Sequence, residues 1–371
     1  MNAAAKKIRV LLVDDSSFMR KVLQGIVSAD PQMEVVGQAK DGNEAVAMAQ
    51  ALKPDVITMD INMPHLDGLQ ATEQIMSQSP RPIVIVSSET REGAASTLVA
   101  LELGAIDFIS KPSSGIDLDM NSVGAELNRK LKMAAKVHVV RTAARPKTAA
   151  GTAHRSTAPT AATDSSGSTV AEGSRFPVVV IAASTGGPAA VMRLVPGLPK
   201  DLPAAVVLVQ HMPASFTSQY AIQLANATEM AVKEAAANEA LAPGVFYVCP
   251  GSHHLRVSPK GRVVLDSGAR ISGYRPCADV AMETAAAWAG PLATGVVLTG
   301  MGNDGSRGAK AIYSAAGTVL VQDETTSVIF GMPAEVIKSG FVTQVLPLEQ
   351  IAAAIEKRVR QLASAPQAVL P

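Results

Sequence analysis

The chain has 371 residues, a formal net charge of +1, 47% apolar and 3% aromatic side chains, and two cysteines. That length suits two domains, each able to close its own core, and a near-neutral chain has no global field with which to hold nucleic acid or an anionic membrane. Cys249 and Cys277 are too few for a disulfide framework and too isolated for a metal knuckle, so a reducing, cytoplasmic setting is expected. No apolar run approaches the ~18 residues of a membrane span, and the N-terminal apolar stretch, broken by Arg9 and ended by Asp14-Asp15, does not read as a signal peptide.

In the first half, short Val/Ile/Leu runs at 8–13, 56–59 and 82–86 read as strands buried on both faces, with weaker ones at 34–37 and 107–110. Between them, residues 18–27, 44–52 and 94–103 place apolar side chains at helical spacing. Such alternation predicts a parallel sheet covered by helices, with chemistry at the carboxyl ends of the strands. Asp14-Asp15 closes the first strand, Asp60 the third and Lys111-Pro112 the fifth. Singly these are unremarkable: Asp15 before two serines can cap a helix, and a lone lysine is usually solvated. Converging on one sheet edge, three acids repel each other unless a cation sits among them, and a hard divalent ion such as Mg²⁺ fits oxygen ligands. A carboxylate beside such an ion and an ammonium group is a phosphoryl acceptor.

These residues, with the Asp60-Ile61-Asn62-Met63-Pro64 turn, Asp67-Gly68, Ser87 and Phe108, resemble the receiver domain of two-component response regulators over residues 8–136. The resemblance implies that Asp60 is phosphorylated by a histidine kinase, that Asp14, Asp15, Asp60 and the Asn62 backbone carbonyl serve Mg²⁺, and that Ser87 and Lys111 grip the phosphoryl group.

From 141 to 175 the chain is mostly Thr, Ala, Ser, Gly and Pro with Val170 the one large apolar residue, a composition expected to remain a flexible tether. The expected division is therefore 1–138, a linker over 139–175, and 176–371.

The second half opens with a strand at 176–181 running into Ala183-Ser184-Thr185-Gly186-Gly187-Pro188, where small residues permit a tight turn and an exposed hydroxyl at a helix start. A plain helix cap is the alternative there. A strand at 205–209 ends in Gln210-His211-Met212-Pro213, and one at 295–298 ends in Thr299-Gly300-Met301-Gly302-Asn303-Asp304-Gly305. Serine, imidazole and carboxylate at neighbouring strand ends are what hydroxyl activation needs: His211 as base, since an imidazole titrates near neutral pH, and Asp304 fixing its tautomer. Gly300-x-Gly302-x-x-Gly305, with Asp323 downstream, also fits a dinucleotide fingerprint. Against that, the loop follows several strands and carries a carboxylate where phosphates would lie. A DNA-binding output is disfavoured by the lack of a basic recognition helix, and an inactive adaptor stays open.

The three motifs together resemble the catalytic domain of the chemotaxis protein-glutamate methylesterases, the CheB family, over residues 176–362. The resemblance implies two doubly wound α/β domains, a flavodoxin-like receiver and a Rossmann-like methylesterase. It implies Ser184 as nucleophile, His211 as base, Asp304 as orienting partner and the Met301 backbone N–H as oxyanion donor. It further implies hydrolysis of glutamate methyl esters on chemoreceptors, with deamidation of glutamines, without a cofactor for that step. The receiver is expected to cover the esterase cleft until Asp60 is phosphorylated. Of the remaining residues, His253-His254 and Trp288 read as structural, His65, His138 and His154 as solvated, and Arg270 and Arg275 as possible contacts for an acidic receptor surface.

Overall fold

The computed structural model describes residues 6–88, 90–111, 120–137 and 175–364. The expected tether, like His138 and His154, lies outside the described residues. In the N-terminal half β1 (Ile8–Val13), α1 (Ser17–Ser28), β2 (Met33–Ala39), α2 (Gly42–Leu52), β3 (Val56–Asp60), α3 (Gly68–Gln78), β4 (Ile83–Ser87), α4 (Arg91–Glu102), β5 (Asp107–Ser110) and α5 (Met120–Ala134) follow in order. The sheet runs β2-β1-β3-β4-β5, all parallel. β3 and β4 are buried at every position, as strands covered on both faces must be. This flavodoxin-like order reverses between β1 and β3, so the residues that follow those two strands meet at the switch point. Capping separates two roles that the sequence leaves merged. Ser16, accepting from Met19 N at 3.3 Å, caps α1, which leaves Asp15 exposed at the sheet edge.

The C-terminal half continues with β6 (Val178–Ala183), α6 (Gly187–Leu194), β7 (Ala205–Gln210), α7 (Ala214–Ala227), β8 (Ala231–Glu234), β9 (Val245–Val248), β10 (His254–Val257), β11 (Val263–Asp266), α8 (Ala278–Ala289), β12 (Ala293–Val297), α9 (Ser306–Ser314), β13 (Thr318–Gln322), α10 (Met332–Ser339), β14 (Gln344–Leu346) and α11 (Leu348–Ser364). Seven strands form a parallel sheet in the order β14-β13-β12-β6-β7-β9-β8. β6, β7, β12 and β13 are fully buried and mostly Val, Ile, Leu and Ala, and the winding reverses between β6 and β12. β10 and β11 pair as an antiparallel hairpin outside that sheet.

The two halves touch along α4, β5 and α5. Phe108 of β5 packs a tilted ring on Phe216 of α7, with centroids 4.5 Å apart. Glu102 of α4 accepts a hydrogen bond from Gln223 of α7. Val328, from the loop after β13, packs on the receiver-side core that includes Leu23, Ile109 and Leu127. Leu98 and Leu101 share a seam with Pro188, Met192 and Tyr220.

Candidate active site

Strand register brings the three C-terminal motifs together. Ala183 pairs with Gln210 across β6 and β7, and His211 N donates to Ala183 O at 3.0 Å. On the other side Ala182 pairs with Val297, and Ser184 N donates to Thr299 O at 3.1 Å. Ser184 thus leaves β6 between His211 and the 299–305 loop. A methyl group built on Gly300 would lie 2.8 Å from Ser184 Cβ, so that loop, with Met301 next in line, abuts the serine. Gln210 Nε2 donates to Ser184 O at 2.9 Å and Gly187 N donates to the same oxygen at 2.8 Å, which holds the turn.

His211 Nε2 lies 2.7 Å from Asp304 Oδ2. The contact assigns the proton to Nε2 as donor, leaving Nδ1, which is buried and makes no hydrogen bond, as the free lone pair. Asp304, 2% exposed, leaves the loop before α9 and sets its carboxylate against the N-terminus of α8. Its Oδ2 also accepts from Ala278 N at 2.7 Å, and its Oδ1 accepts from Asp279 N at 2.9 Å and from the Cys277 thiol at 3.2 Å. Burial works to raise this carboxyl, but the hydrogen bond and charge of His211 and the two α8 amides outweigh it and hold Asp304 below the usual carboxylate range. Burial, then the neighbouring Asp304 charge, push the Cys277 thiol up to about 12, so it remains a neutral donor. Tyr274 stacks on the His211 ring with centroids 4.4 Å apart.

The dinucleotide alternative meets a filled cradle. Gly305 N and Gly308 N at the start of α9 donate to Asp279 Oδ1 at 2.9 and 2.8 Å, so these amides already serve a carboxylate. Cys277, Asp279 and Asp304 lie close enough to share an ion, yet the same amides and His211 occupy their oxygens. His254 is buried and bonds Ala269 O at 3.0 Å, and Trp288 is core, as expected for structural residues. Arg275 braces its own loop through Ser267 O and Gly268 O, while Arg270 is exposed.

At the other switch point Asp14 and Asp60 are buried, Asp15 is exposed, and carboxylate oxygens of all three lie within 4.8 Å of one another. Lys111 Nζ bridges Asp14 at 2.9 Å and Asp60 at 2.8 Å. Burial pushes the Asp60 carboxyl above its usual range although Lys111 pulls it down. Burial also opposes the charge on Lys111, but the two carboxylates keep its affinity for the proton above normal. Ser87, 2% exposed, donates to Gly93 O at 3.2 Å. Asn62 is exposed beside this cluster.

One contact that the sequence does not signal joins the two sites' domains. Thr185, next to Ser184, donates to Asp107 Oδ2 at 2.6 Å in a buried setting. Asp107 Oδ1 in turn pairs with Lys130 of α5 at 3.1 Å. Arg129 reaches the Met301 sulfur at 3.1 Å. Tyr274, Cys277 and Asp107 escape a motif reading because each gains its neighbour from a remote segment.

A CheB methylesterase family model matches residues 179–355 and a response regulator receiver model matches residues 10–121. A protein-glutamate methylesterase/protein-glutamine glutaminase of Pyrococcus abyssi is 41% identical over 98% of this chain and 96% of its own length. One of the same description from Thermotoga maritima is 44% identical over 93% of this chain and 96% of its own. The crystal structure of the Thermotoga maritima CheB methylesterase catalytic domain is 40% identical, covers 50% of this chain and 99% of its own, and superposes with a TM-score of 0.48. With both domain families in order and relatives aligned along nearly the whole chain, this protein belongs to the CheB family of receiver-linked methylesterases.

Proposed function

We propose that the chain hydrolyses the γ-methyl esters of glutamate side chains on chemoreceptors, and deamidates receptor glutamines, through Ser184, His211 and Asp304. The observation that carries this is the 2.7 Å contact of His211 Nε2 with Asp304 beside Ser184, which leaves Nδ1 without a partner. In this reading Ser184 Oγ gives its proton to Nδ1 as it bonds the ester carbon. The Met301 N–H, one residue beyond the Gly300 contact, stabilises the oxyanion. Collapse expels methanol, or ammonia from glutamine, with the proton from His211. Water then cleaves the acyl-enzyme through the same base. Methanol release from methylated receptor fragments tests the assignment. Ser184→Ala is expected to lower turnover by several powers of ten, and undiminished turnover rejects it.

The receiver supplies the control, with residues 1–138 as receiver, 139–175 as linker and 176–371 as esterase. Asp107, Phe108 and Arg129 contact Thr185, Phe216 and Met301, so the α4–β5–α5 face covers the serine's surroundings. Phosphorylation of Asp60 by a histidine kinase would shift this closed arrangement toward an open one. Asp14, Asp15, Asp60 and the Asn62 carbonyl form a hard-oxygen set suited to Mg²⁺. Bound there, the ion would neutralise charge on the transferring phosphoryl group. Lys111 already spans two of these acids and would hold the phosphoryl oxygens with Ser87. Such chemistry belongs in the cytoplasm, and no helix among the described residues is long and apolar enough to cross a membrane.

A further inference from the structure

The proposed base is tied by one hydrogen bond, and one hydrogen bond fixes a point but not a plane. With Nε2 anchored on Asp304 Oδ2, rotation of the imidazole about that contact would still change the direction in which Nδ1 points. The ring plane is set by a different segment. Between β11 and α8 the chain makes a tight two-residue turn: Ile271 N donates to Tyr274 O at 3.0 Å, Tyr274 N donates to Ile271 O at 2.9 Å, and Ser272 and Gly273 both take positive φ. Arg275 clamps the base of this loop through Ser267 O and Gly268 O, at 2.9 and 2.8 Å. The turn delivers the Tyr274 ring onto His211, with centroids 4.4 Å apart and planes 16° from parallel. Its hydroxyl lies 3.5 Å from Met301 O, and the loop opposite is shaped to admit it: a Cβ on Gly302, at φ 95°, would fall 1.9 Å from that oxygen.

We propose that Tyr274 is a positioning residue of the hydrolysis, its stacked ring holding the His211 plane so that Nδ1 faces Ser184. The inference rests on the Ser184–His211–Asp304 reading and adds to it the element that turns a tethered imidazole into an aimed one. Reactive groups tolerate misplacement poorly: an error of 10–20°, or a fraction of an ångström, already lowers the rate. Aromatic stacking is available without the hydroxyl, so phenylalanine should substitute and an aliphatic side chain should not.

The test uses the full chain with a small-molecule phosphodonor and methylated receptor fragments, measuring kcat and KM for Tyr274→Phe, Tyr274→Leu and His211→Gln. Because Tyr274 is half-buried in a surface loop, thermal unfolding of each variant serves as the check on folding. Tyr274→Leu is expected to lower kcat about tenfold to a hundredfold with KM nearly unchanged, while Tyr274→Phe stays within about threefold of the parent. An unchanged kcat in Tyr274→Leu, an effect confined to KM, or an equal loss in Tyr274→Phe overturns the proposal. If Tyr274→Leu unfolds early, Tyr274→Trp takes its place: retained kcat supports stacking and a loss as deep as that of His211→Gln overturns it. An active His211→Gln sinks the triad reading itself. An inactive His211→Gln beside a fully active Tyr274→Leu sinks the Tyr274 proposal alone.

Discussion

Removing the carboxylate of Asp107 should switch the esterase on without phosphorylation. In the closed arrangement Thr185 Oγ1 donates to Asp107 Oδ2 at 2.6 Å, with both groups buried at the junction of the halves. A hydrogen bond to a charged group contributes about 1.5–3 kcal/mol net of hydration. Since 1.4 kcal/mol is about tenfold in an equilibrium constant, Asp107→Ala should raise the open-to-closed ratio about tenfold or more. If the resting chain is open about 1% of the time, a typical minor-state population, its basal methanol release should rise by about that factor. Stimulation by a phosphodonor should shrink in proportion, because the open population cannot exceed unity. The receiver should survive the change, because Lys130 keeps Phe108 O and Glu126 as partners. The assay is methanol release from methylated receptor by parent and variant, each with and without phosphodonor. Basal activity that is unchanged or lowered, in a variant whose thermal unfolding is intact, refutes the idea that this contact holds the cleft closed.

Other outcomes follow from the same geometry. Asp60 has a raised folded-state pKa dominated by burial, so its stabilising contribution is present at low pH and lost as pH rises through that value. Asp60→Asn should therefore raise the melting temperature at pH 7 by a few degrees while abolishing acid-labile phosphate incorporation; a lower melting temperature would mean that the Lys111 pair outweighs desolvation. Asp304 is shifted the other way: its contribution is present above the ordinary carboxylate pKa of about 3.9 and disappears as pH falls through the depressed folded value. Asp304→Asn should flatten the acid limb of the unfolding curve below about pH 4 and lower kcat by about 10⁴, measured by pH-dependent melting and methanol release. Gly187→Ala would place a methyl group 2.3 Å from Gln210 Oε1 and 2.8 Å from Ala183 Cβ. It should release the Gln210 bond to Ser184 O, lowering kcat more than about tenfold and melting by several degrees; wild-type kinetics would show that the turn does not depend on that amide.

The convergence of the acidic residues, and that of the segments bearing Ser184, His211 and Asp304, is legible for one physical reason. Asp14, Asp60 and Lys111 follow continuous apolar runs, as do Ser184, His211 and the loop bearing Asp304. In a parallel sheet the residue after a buried strand is forced to the same edge as its counterparts, so sequence position alone predicts spatial company. Short strands such as β8 are hard to read from sequence, because four-residue segments such as Ala231–Glu234, half exposed along its length, carry too little periodicity to distinguish from loop. In the sequence Cys277 is only one of two isolated thiols, yet it faces Asp304 at 3.2 Å. Nothing local marks it, since its partner lies 27 residues away across a chain reversal.

Asp107 shows why the control contact was harder to read than the chemistry. Within its own half it looks like the polar start of an edge strand, and Lys130 gives it a sufficient local partner. Its second oxygen finds Thr185 only when two independently wound sheets dock, a relation that neither sheet's periodicity encodes. The same short strand carries Phe108 against Phe216 and leads into Lys111, which bridges Asp14 and Asp60. β5 therefore has the lysine proposed to hold the phosphoryl group at one end and the contacts to the C-terminal half at the other, about 13 Å apart for four residues of extended chain. A change in what Lys111 grips can reach Thr185 through one rigid strand, without any rearrangement of either core. If that is the route, Lys111→Met should uncouple phosphodonor from methanol release while leaving the basal rate near that of the parent. Full stimulation of that variant would place the coupling outside β5.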